Sequence, residues 1–206
     1  MDTRFLGRLV ASCVALSTII IAIIVCSPMN PSRAADPQTA DTFSPYVGKD
    51  GSISRPADYR DKFAFLGTYA DATKGDTSID QIHNVYAPLE SVQAFRRDGK
   101  FPDGTVLVKE VCGADSDKLT IGQAHWVKDT KLWFVMIKDS KGRFPGNDLW
   151  GNGWGWALFK ANEPARNVAT DFKTDCLTCH IPAKKDDWVY IRGYPILKKQ
   201  DTTRRH

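Results

Sequence analysis

The run Cys176-Leu177-Thr178-Cys179-His180 sets two thiols three residues apart and follows them at once with an imidazole. On a helical turn the two sulfurs face the same way. Both can then add to the vinyl groups of one haem, and the next residue's imidazole falls beneath its iron. The spacing therefore predicts one covalently bound haem c, with Cys176 and Cys179 as the attachment points and His180 as the proximal metal ligand. Two rival uses of the same residues exist. A thioredoxin-like redox pair requires a βαβ setting. A zinc site requires four ligands, with Cys112 and either His83 or His125 completing the set.

The motif fixes one side of the iron, and the other side decides the chemistry. An electron carrier has a second strong axial ligand, usually Met or His. After His180 there is no Met, and the only further His is His206. Upstream, His83, His125 and Met136 remain. Met136 sits in the apolar run Trp133-Phe134-Val135-Met136-Ile137 and reads as core. His125 alternates with Ile121 and Val127 and reads as a sheet-face residue. The pattern predicts a five-coordinate iron whose open face binds a small molecule.

Lys109 and Glu110 interrupt an otherwise apolar strand, Thr105-Val106-Leu107-Val108-Lys109-Glu110-Val111-Cys112. Side chains alternate along a strand, so Lys109 shares a face with Leu107 and Val111, and Glu110 shares the other with Val106, Val108 and Cys112. An unpaired buried charge is costly. Either one of these charges points into a pocket or core, or both lie at the strand's end with Lys109 reaching outward.

These groups need a scaffold. The chain has 206 residues with 42% hydrophobic and 25% charged residues, a composition that supports a packed core. Its net charge of +4 is mild, with Lys and Arg interleaved with Asp and Glu, which argues against a nucleic-acid partner. Arg4 and Arg8, the apolar run Leu9 to Val25, and Ser32-Arg33-Ala34 predict a signal peptide over 1–34, or an uncleaved inner-membrane anchor. The remainder is then periplasmic. Cys13 and Cys26 belong to that segment, which leaves Cys112 as a lone buried thiol beside the haem pair. Residues 35–54 read as a flexible linker, 55–198 as the haem domain, and 199–206 as a tail.

Within the domain, a short helix and a strand are expected in Ala57–Ala72, a strand at Gln81–Ala87 closed by Pro88, and a helix at Leu89–Arg97. A turn follows at Lys100–Gly104. Further strands are expected at Thr105–Cys112, Leu119–Lys128, Lys131–Asp139 and Gly153–Lys160. Val168–His180 should turn helical, and the aromatic stretch Trp188–Leu197 should close the domain. Successive strands joined by short turns predict an α+β fold, a single domain dominated by an antiparallel β-sheet with a few short helices and the haem site near the C-terminus.

Several of these segments together resemble the cytochrome P-460 family: Phe101 to Glu110, then Asp175 to His180 with Pro182-Ala183, Asp187-Trp188-Val189-Tyr190 and Tyr194-Pro195-Ile196-Leu197. The strand His83-Asn84-Val85-Tyr86 followed by Pro88 is similar too. The resemblance implies a periplasmic, usually dimeric protein with a five-coordinate haem c. Its members oxidise hydroxylamine or bind nitric oxide. In the oxidising members a lysine at the position of Lys109 bonds to the porphyrin edge. This chain departs from them twice. It has His83 where an arginine stands on that strand, and Phe134 near the position of a distal carboxylate.

The candidate catalytic residues are therefore Lys109, His83 and Glu110. Lys109 and Phe134 join Cys176 and Cys179 as haem contacts, and His180 is the metal ligand. The first expected function is hydroxylamine oxidation, with electrons leaving to a small soluble cytochrome and His83 serving as base. The alternatives are a nitric oxide or diatomic gas binder without turnover, which Phe134 favours, and an electron-transfer cytochrome c.

Overall fold

The computed structural model describes residues 43–72 and 78–199. The expected export segment and nearly all of the tail lie outside them. The elements are α1 (Tyr59–Lys62), β1 (Ala64–Asp71), β2 (Gln81–Ala87), α2 (Leu89–Asp98), β3 (Val106–Leu119), β4 (Gly122–Lys138), β5 (Trp150–Gly151), β6 (Trp154–Lys160) and β7 (Glu163–Asn167). A helical run then carries the chain through the Cys-x-x-Cys-His motif: a π-helical turn (Lys173–Leu177), one α-turn (Thr178–His180) and a 3₁₀ turn (Ile181–Asp186). Among the described residues no helix is long and apolar enough to cross a membrane.

The strands form one seven-stranded sheet in the order β1-β2-β3-β4-β6-β5, with β7 also on β6. Every ladder is antiparallel. The class is α+β with a dominant antiparallel sheet, as the strand pattern implies. Among the described residues it offers no βαβ unit to a thioredoxin-like cysteine pair.

Both faces of the sheet are covered, which is why β3 lacks a clean polar side. On one face Leu66, Val85, Leu107, Met136, Trp154 and Trp156 pack with Val92 of α2 and with Phe172, Cys176, Val189, Tyr194 and Leu197 from the C-terminal region. On the other, Val106, Val108, Val135, Ile137 and Phe159 pack against Val47, Ile53 and Tyr59. The C-terminal region can close on β1 because glycines meet there. A Cβ on Gly67 would lie 2.1 Å from the Gly193 carbonyl oxygen.

Two boundaries differ from the sequence expectation. The described half of the expected linker, 43–54, is packed. Val47 bridges Ile53, both are buried, and Ser44 is 2% exposed. Its polar composition masks the three side chains that face the sheet. The strands expected at Leu119–Lys128 and Lys131–Asp139 are one continuous strand, β4, and the hairpin turns at Thr120-Ile121 instead. Asp129-Thr130 resembles a turn by composition, yet Thr130 pairs with Cys112 across a bulge and spends its hydroxyl on Glu110.

Candidate functional site

The register of the sheet assembles the floor of the site. Val85, Lys109 and Phe134 form one row across β2, β3 and β4, and Leu107 and Met136 form the next. His83 lies one step along β2 on the same face, opposite Val111. The C-terminal region faces this row with Cys179, His180, Val189, Tyr190 and Tyr194. Between the two, with Tyr69 of β1, is a cavity of about 330 Å³. That size falls within the range of about 300–1,000 Å³ typical of cofactor and small-ligand sites. Its walls are mainly apolar and aromatic, with Lys109, His83 and His180 as the polar exceptions.

The motif's own conformation suits a haem. Of the motif's two sulfurs, that of Cys176 is buried and that of Cys179 exposed, and burial pushes the Cys176 thiol up to about 12. His180 lines the cavity on the α-turn that follows. Its Nδ1 lies 2.6 Å from the Trp188 carbonyl oxygen, which can only accept. Nδ1 therefore carries the proton, and Nε2 keeps its lone pair, the tautomer that an axial imidazole needs. The ring is held edge-on against Trp156, with centroids 5.0 Å apart. Burial holds its pKa below the ordinary histidine value, which keeps the ring neutral and able to coordinate. The residues present thus fit a haem: two thiols, one oriented imidazole and an apolar cavity beside them.

Opposite the motif, Lys109 is half-buried and its Nζ lies 4.3 Å from the centroid of the Phe134 ring. Burial lowers its pKa. His83 Nε2 is 3.2 Å from Gln81 Oε1 and 3.5 Å from Asp71 Oδ1. Two acceptor oxygens around Nε2 favour the proton there and leave the Nδ1 lone pair to accept another. Burial, then the Lys109 charge, lowers the His83 pKa, so the ring is a neutral base at neutral pH.

Lys109, His83, Phe134, Cys179 and His180 all line this cavity, and Met136 contributes to its wall while packing in the core. Glu110 does not reach it. Strand alternation sends Glu110 through the sheet, where it is 1% exposed and accepts hydrogen bonds from Arg60 and, at 2.6 Å, from the Thr130 hydroxyl. Its expected catalytic role is thereby corrected to an ion pair with the exposed Arg60 on the far side of the sheet. His125 lies on the β3–β4 hairpin arm beside Ser116, outside the cavity lining. Cys112 is a buried thiol on Glu110's side, 3.7 Å from Thr130 Oγ1. Among the described residues no group of three or more His, Cys, Asp or Glu is placed to hold a metal ion, which leaves no zinc set.

Three parts of the site carried no individual signal in the sequence: the Trp188 carbonyl, the Tyr69–Tyr190–Tyr194 wall, and the backbone at Asp187 and Trp188. The tyrosines knit β1 to the C-terminal region. Tyr69 donates to the Tyr190 carbonyl at 2.8 Å and accepts from the Gly193 amide at 2.8 Å, while Tyr190 donates to the Cys179 carbonyl at 2.6 Å. The aromatic excess of this stretch and its place in the family resemblance were the hints.

No curated protein matches the chain. A family model, cytochrome P460, matches residues 56–191, more than half of the chain and a span that includes β1 to β7.

Proposed function

The chain belongs to the cytochrome P460 family, whose members imply a haem c cofactor, and from that premise we propose that it oxidises hydroxylamine. Cys176 and Cys179 would hold the haem covalently, His180 would ligate its iron, and Lys109 would link to the porphyrin edge. The observation that carries this reading is the convergence of Lys109, His83 and His180 on one apolar cavity. When bound, the haem supplies an iron that takes up the substrate nitrogen and accepts its electrons.

The chain's own groups do the rest. His180, with Nδ1 tied to the Trp188 carbonyl, presents Nε2 as the axial donor. Lys109 is desolvated, so its amine loses its proton more readily than that of an exposed lysine; linking the neutral amine to the porphyrin edge would replace one ring C–H by C–N, releasing two protons and passing two electrons to an oxidant such as a peroxide. Hydroxylamine oxidation releases protons as well as electrons, and His83 is the neutral base available within the cavity. Val85, Leu107, Phe134 and Met136 exclude bulk water from the opposite wall.

The electrons pass to a small soluble cytochrome, and the protein works in the periplasm as a homodimer, exported by the segment 1–34. Anaerobic turnover of hydroxylamine with an artificial electron acceptor tests the proposal. Turnover dependent on Lys109 supports it. A second reading has its own support. Phe134 packs on Lys109 where the oxidising relatives carry a carboxylate, and an apolar pocket suits a neutral diatomic gas. Nitric oxide binding with no hydroxylamine turnover would select that reading.

A further inference from the structure

We propose that Lys138 and Asp187 are positioning residues that set the donor strength of His180 by clamping the Trp188 carbonyl against its Nδ1. The proposal rests on the haem reading above and deepens it. Asp187 and Trp188 are consecutive residues with φ of 57° and 66°, a left-handed backbone that side chains other than glycine rarely adopt. Such a conformation persists only where its surroundings hold it. Here they do. Lys138 Nζ lies 2.9 Å from each Asp187 carboxylate oxygen. Trp154 Nε1 donates to the Asp187 carbonyl at 3.0 Å, and the Trp188 amide donates to the Ala183 carbonyl at 3.0 Å.

The clamp is anchored in the core at its lysine end, while the Asp187 side chain is 34% exposed. The Lys138 side chain is 10% exposed, and its Nζ lies 4.8 Å from the centroid of the Trp154 ring, itself 1% exposed. Gly153 makes room for it, since a Cβ there would sit 3.1 Å from Nζ. Lys138 ends β4, the strand that also carries Phe134 and Met136. The sheet therefore reaches across to fix the one carbonyl that orients the imidazole. The 2.6 Å contact from Nδ1 to that carbonyl draws the N–H proton outward and makes Nε2 a stronger donor. Loosening the clamp lets the Asp187-Trp188 backbone relax, lengthens the contact and weakens the donor.

The test uses the haem-loaded full chain and the variants Asp187→Asn, Lys138→Met and Lys138→Arg, each checked by thermal melting. Glu163→Gln, which breaks an exposed ion pair with Arg166 far from the motif, is the control. The iron–histidine stretching frequency of the ferrous protein and its reduction potential are the readouts. In Asp187→Asn and Lys138→Met the frequency falls and the potential rises, while Lys138→Arg and Glu163→Gln stay at the wild-type values. Wild-type values in folded Asp187→Asn and Lys138→Met would overturn the clamp while leaving the haem reading intact. A wild-type protein without an iron–histidine band would overturn the haem reading and the clamp with it.

Discussion

Lys109 Nζ lies 4.3 Å from the centroid of the Phe134 ring, and the two residues are direct cross-strand partners of β3 and β4. One register thus brings together the residue that argues for oxidation chemistry and the residue that argues for gas binding. Cation–π contact stabilises a charged lysine on an aromatic face, while burial favours the neutral amine. The Phe134 ring covers the Lys109 amine and so contributes to the burial that lowers its pKa.

Replacing that ring with a carboxylate separates the two functions. In Phe134→Glu the new group adds a proton acceptor to the wall beside Lys109. Hydroxylamine turnover should rise by about 10-fold or more, within the range that a positioned general base contributes. Nitric oxide affinity should fall as the pocket becomes polar. Steady-state kinetics with an artificial acceptor and gas titration of the ferrous protein check both arms.

His83 predicts an acid limb in the pH profile. Its pKa is lowered by burial and then by Lys109, so the neutral, proton-accepting form persists below the ordinary value of about 6.5. Turnover should be flat through neutrality and fall only as pH drops through the depressed value. His83→Gln should lower the plateau and remove this limb. A limb of unchanged midpoint in His83→Gln would assign it to another group.

Glu110 predicts a stability effect without a functional one. Its carboxyl pKa is lowered despite burial, because Thr130 and Arg60 hydrogen-bond its charged form. A carboxylate with a depressed folded pKa stabilises the fold above the unfolded value of about 4.3, and that contribution is lost as pH falls through the folded value. Arg60 is 57% exposed, so water screens much of the ion pair. Glu110→Ala should therefore destabilise the protein by about 1–3 kcal/mol, chiefly by removing the hydrogen bonds that the buried carboxylate accepts from Thr130 and Arg60. Urea unfolding at pH 7 should show this loss, and the gap from wild type should narrow toward pH 3. Nitric oxide affinity per folded haem should stay the same.

Much of this site was legible from residue types and spacing. Cys176, Cys179 and His180 declare themselves because two thioethers and an axial imidazole demand that spacing. Lys109 was legible as an anomaly, a charge on an apolar face, and alternation already separated it from Glu110. What alternation could not give was the partner that makes each charge tolerable. Arg60 lies 50 positions from Glu110, and Phe134 meets Lys109 only through the β3–β4 register. That register includes bulges around Cys112, which no local pattern marks. The packed stretch 43–54 was hidden for a related reason: Ser44, Val47 and Ile53 are too few to show a period, yet they bury themselves by docking on a sheet formed elsewhere. The Trp188 carbonyl is a backbone atom and has no residue signature at all.

The central claim is that Lys109 and the Cys176–His180 motif hold the same haem from opposite walls of one cavity. Proteolysis of the purified haem protein followed by mass spectrometry tests it most directly. The peptide containing Lys109 should be recovered covalently joined to the haem peptide containing Cys176 and Cys179, and Lys109→Met should yield the haem peptide alone. Recovery of a free Lys109 peptide from the wild-type haem protein would contradict it.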